Sequence, residues 1–305
     1  MKQENIVYDH NLPAPTHTDE FYRKQKREKI IHVIKTIVVY AVLIFFSVIV
    51  LFPFVYMVLG SFRTYDSYLE KTTQVIPNPF TFDNYRIVFE EVPLLTGYKN
   101  TFIVILCELP LNLFFVSMEA FAFSKLRLRN KTFWLLFLLS GMMVPGAVLL
   151  MPRYIVYSKI GWINTLLPLI VPGLFSNSGR MFFFIQYMMG IPSELFEAAK
   201  VDGCGYMKMH LHIMLPLLLP ALAAQAIFGF MGSWNEYFAP SIYLLDDSTR
   251  TLQAMLANFN EEFRSTGKLP VIFAGASLSC IPMVVLYLIL QKYFIKSMAI
   301  GAVKG

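Results

Sequence analysis

Long apolar runs alternate with short polar ones along this chain. Six runs stand out, at residues 33–59, 101–123, 132–151, 166–189, 211–231 and 271–290. A hydrocarbon core of roughly 30 Å is crossed by about 20 mostly apolar residues in helical form. The pattern therefore predicts six membrane-spanning helices. Strands are excluded because lipid cannot satisfy the backbone groups of an open sheet edge. Pro53, Pro110, Pro145, Pro172, Pro216, Pro220 and Pro282 fall inside the runs. They are expected to kink the helices without ending them. The fold class is all-α, with residues 1–32 as a polar, basic tail and 33–305 as the transmembrane domain. The first run is too long for a signal peptide and lacks a small-residue cleavage site, so it reads as an uncleaved anchor.

Composition agrees with lipid as solvent. Of 305 residues, 56% are hydrophobic and 15% charged, against about 25% charged in a soluble domain. The net charge of +6 could mark a nucleic-acid partner, but the basic residues are sorted along the chain. With the N-terminus placed inside, segments 1–32, 124–131, 190–210 and 291–305 hold 15 Lys and Arg in 76 positions. Segments 60–100, 152–165 and 232–270 hold 9 in 94. Excess positive charge marks the cytoplasmic side. Both termini are therefore expected in the cytoplasm, and the basic balance reflects topology, with no nucleic acid implied. Cys107, Cys204 and Cys280 have neither disulfide-framework nor metal-ligand spacing.

The polar segments differ in character. Residues 1–20 have the composition of a disordered tail. "FYRKQKREKII" (21–31) fits either a plain positive-inside stop or an interfacial helix touching anionic lipid. Within 63–97, "VIPNPFTFDNYRIVF" carries a turn and a cap position at Asp83, predicting a short helix against the outer membrane face. Leu252, Met255, Leu256 and Phe259 recur at helical spacing in 232–270, which predicts a packed helix there.

Chemistry is sparse. There is no GxxxxGK[ST] loop to cradle ATP phosphates, and no nucleophile or acid–base set has catalytic spacing. The chain is read as a non-enzyme without a cofactor or metal of its own. His210 and His212 are two apart, which points them in different directions on a helix. Four charges fall inside the apolar runs: Lys35, Glu108, Glu119 and Arg180. Intramembrane charge is costly, so each is a functional candidate. Lys35 and Glu119 lie near an interface. Glu108 and Arg180 lie deeper and either pair with each other, line a hydrated path or contact a polar solute. Asn112, one turn from Glu108, extends that polar face. At the end of the fifth run, interfacial anchoring accounts for Trp234 and Tyr237, while Asn235 and Glu236 fit a hydrated path or a partner contact. Glu108, Asn112, Arg180, Asn235 and Glu236 are thus the candidate solute-path residues.

The most specific stretch is "EAAKVDGCGYMKMHLHIMLP" (197–216). Pro192 and Ser193 favour a helix start, and Glu194 suits the N-terminal dipole. The helix should run to about Asp202, with Gly203 taking the left-handed conformation that ends it. Such a helix is too short to span. Ala198 and Ala199 clear bulk from one face, and Glu197 offers an acceptor to a basic group. From the residues alone this is either a docking surface or a simple amphipathic turn.

Glu197-Ala198-Ala199, Gly203, and Ile213-x-Leu215-Pro216 together resemble the signature of the membrane subunits of ABC importers. More narrowly, the chain is similar to carbohydrate-uptake permeases of the kind represented by the smaller membrane subunit of the maltose system. "NPFTFDNYRIVF" (78–89), "WINTLLPLIVP" (162–172), "IPSELFEAAKVDG" (191–203), "GSWNEYFAP" (232–240) and "GAVKG" (301–305) carry the same resemblance, over residues 30–305. Phe196 stands where such permeases often have an acidic residue, and Cys204-Gly205 where a small pair such as Ala-Ser is common. The resemblance implies that 193–203 is a coupling helix docking into a separate ATPase subunit, with Asp202, Ile213, Leu215 and Pro216 completing the motif. It implies a multi-pass protein of the bacterial plasma membrane that moves an oligosaccharide. Its implied partners are a second, homologous permease, two ATPase subunits that bind ATP and Mg, and an extracellular or periplasmic solute-binding protein. The rival class is an ion-coupled secondary transporter using Glu108 and Arg180, and a third is a membrane scaffold with no transport role.

Overall fold

A computed structural model describes residues 19–302 apart from 72, 73 and 176. Most of the expected disordered tail and the end of the "GAVKG" stretch lie outside the described residues. By compactness the chain divides into two units, residues 1–56 and 57–305.

The first unit is described as most of one helix, α1 (Asp19–Gly60). Segment 21–31 is not a separate interfacial helix but the first turns of α1. Side chains from Lys26 to Val55 are all exposed. Its apolar stretch has no polar face, the arrangement expected where lipid surrounds a helix.

The second unit begins with two short helices, α2 (Tyr65–Glu70) and α3 (Asp83–Glu91), followed by the long α4 (Leu94–Lys125). Next come α5 (Lys131–Ser140), α6 (Leu150–Lys159), α7 (Leu167–Ile170) and α8 (Ser178–Met189). The short α9 (Glu194–Val201) and α10 (Tyr206–Met209) lead through a π-turn, His210–Met214, into α11 (Leu215–Asn235). Finally α12 (Phe238–Tyr243) and α13 (Leu252–Ser265) precede α14 (Leu269–Ala302). Among the described residues no strand forms, only an isolated bridge between Arg63 and Phe80.

Among the described residues, four continuous helical stretches are long and apolar enough to cross a membrane: 26–60, 94–125, 206–235 and 269–289. They match the first, second, fifth and sixth expected runs with somewhat longer bounds. Pro53, Pro110 and Pro220 sit inside intact helices, as does Pro282. The third and fourth runs depart from expectation. The third ends as a helix at Ser140 and resumes beyond Pro145, the two halves meeting at 85°. Pro145 has no N–H to continue the ladder and disfavours helical conformation at Val144. Counting this bent pair as one span gives five. The fourth run breaks between Gly173 and Ser178, where Pro168, Pro172 and Gly173 leave only α7 and a 3₁₀ turn before α8. Here proline ends the helix instead of kinking it.

Two apolar cores hold the second unit together. At the Leu94 end of α4, Leu94, Ile105 and Leu109 pack with Val88, Trp234, Leu252, Met255, Leu256, Phe259 and Val271. The four residues that predicted a packed helix are thus buried on α13. The helix at 83–91 forms as expected, though its start is capped by the Thr81 hydroxyl, which accepts from Asp83 N at 3.1 Å. At the Lys125 end, Val116, Ala120 and Phe121 pack with Phe184, Met188, Phe196, Met209, Met214 and Leu218. Leu113 touches both cores.

Two asparagines fasten the loops at the Leu94 end. Asn100 donates to the carbonyls of Ser248 and Arg250, each at 3.0 Å. Asn164, in the left-handed region at φ 62°, accepts from Leu245 N, Asp246 N and the Thr249 hydroxyl and donates to the Asp246 carboxylate.

Candidate functional site

The residues of the 197–216 stretch fold as the spacing predicts. α9 starts after Ser193, whose side chain makes no cap hydrogen bond. It ends at Val201, with Gly203 in the left-handed region at φ 75°. Gly203 N donates to Lys200 O at 3.1 Å and Cys204 N to Ala199 O at 2.9 Å. This pair of bonds is the Schellman ending, in which a glycine past the helix end turns the chain back and satisfies two carbonyls. A β-carbon at Gly203 would meet nothing within 4 Å, so backbone conformation alone requires glycine here.

Its faces are sharply divided. Phe196 is buried, with its ring 5.7 Å from that of Phe121 on α4. Lys125 Nζ lies 5.5 Å from the Phe196 ring centroid and donates to the Ile191 carbonyl at 2.6 Å. Ala199 is half-buried, while Glu194, Glu197, Ala198 and Asp202 are exposed. Leu195 and Val201 are exposed too, Val201 at 88%. The face turned away from α4 thus exposes apolar and acidic side chains together. Phe196, a departure from the motif in the sequence, is the plug that seats α9 on α4.

Beyond α10 the ladder widens. Leu215 N donates to His210 O, the i→i+5 bond of a π-turn. Pro216, in the first turn of α11, lacks the N–H that would bond four residues back to His212. Ile213 and Leu215 are half-buried, Pro216 is exposed, and Met214 is fully buried. His210 is buried and His212 exposed, as their two-residue separation predicts.

The polar span residues form a different site. Asn112 on α4 donates to the Gly173 carbonyl and accepts from the Arg180 guanidinium. Asn177 caps α8, accepting from Arg180 N at 2.9 Å. The broken backbone of the fourth run is thus satisfied by side chains, the condition under which irregular structure survives at membrane depth. Gly229 on α11 completes the junction, since a β-carbon there would lie 2.7 Å from Arg180 Nη2. Glu108 borders it at Gly173 and interacts with Arg180 electrostatically. Arg180 therefore has Asn112 as its hydrogen-bond partner, and no Glu108–Arg180 hydrogen bond forms among the described residues. Gly173, Asn177 and Gly229 escaped the sequence reading, for no periodicity distinguishes a glycine facing a guanidinium from one facing lipid.

Asn235 and Glu236 are not brought to this junction. Asn235 is exposed and donates to Met231 O at 2.9 Å on its own helix. Glu236 caps α12, accepting from Phe238 N and Ala239 N at 2.9 and 3.0 Å. Trp234 is not an exposed interfacial anchor but a core residue, stacked on Phe230 and donating to Ser279 O at 3.2 Å.

Comparison with known proteins places this architecture. Residues 120–300 match the family described as binding-protein-dependent transport system inner membrane component. The chain is 31% identical over 264 residues to an arabinooligosaccharides transport system permease protein of Halalkalibacterium halodurans, covering 86% of this chain and 94% of that one. It is 28% identical to a maltodextrin transport system permease protein of Bacillus subtilis, covering 87% and 95%. Its fold matches a chain of a bacterial ABC transporter involved in the import of the acidic polysaccharide alginate. The TM-score is 0.73 at 24% identity, over 86% of this chain and 96% of that one. The chain belongs to the family of binding-protein-dependent transport system inner membrane components and is a multi-pass ABC transporter permease, similar to those of sugar-uptake systems.

Proposed function

We propose that this chain is one of two homologous permease subunits of an ATP-driven importer that carries an oligosaccharide across the bacterial plasma membrane. Two separate ATPase subunits bind ATP and Mg on the cytoplasmic side, and a solute-binding protein delivers sugar outside. The chain itself is not an enzyme. The observation that carries this reading is α9, an eight-residue helix with a buried Phe196 on one side and exposed Glu197, Ala198 and Val201 on the other. On this reading the Lys125 end of α4 is cytoplasmic, α9 is the coupling helix, and motion of the ATPases reaches the spans through it. Six crossings with both termini inside follow if α5–α6 and α7–α8 each complete one discontinuous crossing. The carbohydrate class is supported by the arabinooligosaccharide and maltodextrin relatives. A path residue that reads solute would sit near Glu108, Asn112 and Arg180, at the interface with the second permease.

The test is reconstitution with partner permease, ATPases and binding protein in sealed vesicles. Oligosaccharide uptake should require ATP and all components, and a cysteine placed at Lys200 should be shielded from impermeant label outside. Uptake by this chain alone, driven by an ion gradient, would instead establish the secondary-transporter reading.

A further inference from the structure

The contacts that seat α9 and the π-turn come from a single stripe of α4. Ser117, Phe121 and Lys125 follow one another at four-residue intervals, which places them one above another on one helix face. Lys125 holds the entrance to α9 through the Ile191 carbonyl, and Phe121 packs on Phe196. Phe121 also packs on His210, with ring centroids 5.5 Å apart. Ser117 reaches the His210 ring, its Oγ lying 3.2 Å from Nε2.

His210 is an unusual residue to bury. It is 1% exposed, lies between Phe114 and Phe121, and its Nδ1 has no hydrogen-bond partner among the described residues. The contact with Ser117 is therefore the ring's single hydrogen bond there. Packing alone would be served by an apolar side chain, because a half-satisfied buried polar group costs free energy. His210 is also the first residue of the π-turn. A π-turn is a local insertion into the helical ladder, found disproportionately at functional sites.

The geometry points to the Ser117–His210 hydrogen bond as the latch that makes the π-turn, and with it the start of α11, move as one body with α4. This rests on the reading of α9 as the coupling helix. His210 and Ser117 are positioning residues, since neither lies on the exposed face of α9. Along α4, Lys125 and Asn112 are 13 residues apart, about 20 Å at 1.5 Å per residue. One helix, α4, therefore connects the seat of α9 to the Asn112–Arg180 junction, and the latch makes α11 follow it. Without it, α9 stays seated on α4 through Phe121 and Lys125 while the π-turn gives way, so a displacement reaches α4 without carrying α11, whose Gly229 borders the junction.

The experiment uses the complete transporter in sealed vesicles and reads two quantities, ATP hydrolysis and oligosaccharide taken up per ATP hydrolysed. Ser117→Ala removes one hydroxyl and leaves the volume nearly unchanged. His210→Phe fills the seat without the hydrogen bond, and His210→Gln offers an amide at the position of Nε2. Ser117→Ala and His210→Phe should keep ATP hydrolysis while uptake per ATP falls about three- to tenfold, the equivalent of one net hydrogen bond. The double variant should be no worse than either single one, and His210→Gln should restore most of the ratio. A purely structural role would lower the yield of assembled transporter and leave the ratio alone. A normal ratio in assembled Ser117→Ala transporter overturns the latch, and this variant decides the matter if His210→Phe does not assemble. An unaltered transporter that shows no ATP-driven uptake would instead overturn the importer reading beneath it.

Discussion

Arg180 on α8 donates to the Asn112 side chain on α4, and the same Asn112 holds the open Gly173 carbonyl. One asparagine thus neutralises two liabilities of a broken span, a buried guanidinium and an unpaired carbonyl. Asn112→Leu leaves both behind. Removing the partner of a charged, buried group costs about 1.5–3 kcal/mol. The variant should assemble poorly and unfold at lower temperature in detergent. Replacing Arg180 with Met in the same chain should recover part of the loss, because no buried guanidinium is then left without its hydrogen-bond partner. Strictly additive losses in the double variant would contradict the pairing.

Gly229 sets how closely α11 approaches this junction. A β-carbon there would lie 2.3 Å from Leu109 Cδ1, whereas one at Gly232, nearly a turn along, meets nothing within 4 Å. Overpacking a fitted interface costs roughly 1–3 kcal/mol. Gly229→Ala should reduce the thermal midpoint of the purified subunit, and Gly232→Ala should leave it unchanged or slightly raised. Equal behaviour of the two variants would show that α11 yields freely.

Asn164 predicts a local effect. Its side chain holds Leu245, Asp246 and Thr249 together from a backbone at φ 62°. Asn164→Gly keeps the left-handed backbone and deletes the clasp, so any effect belongs to the side chain. Amide exchange at Leu245 and Asp246 should accelerate, with the α4 core unaffected. Unchanged exchange there would mean that Asn100 alone suffices to hold the loop.

Much of this was legible in the sequence, for identifiable reasons. The runs at 33–59, 101–123, 211–231 and 271–290 announce helices because composition alone decides what lipid tolerates. The 252–259 pattern survived because α13 packs one face against a core, which imposes a 3.6-residue period. The third and fourth runs misled, because Pro145 and Pro172 look like Pro110 until the surrounding donors are known. Pro110 sits in an otherwise unbroken ladder, whereas Pro172 is followed by Gly173, whose carbonyl finds Asn112 sixty-one residues away. Long-range satisfaction of a backbone group leaves no local trace. The hydrogen-bond partner of Arg180 went unread for a related reason, with pairing to Glu108 only one of three alternatives. Charge suggested Glu108, but Asn112 lies one turn along the same helix and reaches the guanidinium directly. At the opposite extreme, Gly203 was readable outright, since a left-handed helix ending is a local requirement that glycine meets most easily.

Glu197 and Gly203 separate the two jobs of α9. The Glu197 side chain is exposed and makes no hydrogen bond or ion pair among the described residues, so changing it should not alter how this subunit folds. Gly203 holds the Schellman ending, and its open surroundings mean that a substituent there costs only backbone strain. For a β-branched residue that strain is about 1–2 kcal/mol, while asparagine tolerates the left-handed region far better. Gly203→Val should therefore unwind the last turn of α9, and Gly203→Asn should preserve it. In vesicles containing the full transporter, Glu197→Lys should leave the amount of inserted permease normal and reduce retained ATPase and uptake. Gly203→Val should reduce them as well, with Gly203→Asn close to the unaltered protein. Glu261→Lys, at an exposed position on α13 far along the chain from α9, serves as the matched charge change and should leave ATPase retention normal. If Glu197→Lys and Gly203→Val both transported at the normal rate, α9 would be a plain surface helix, and its exposed Val201 face would need another explanation.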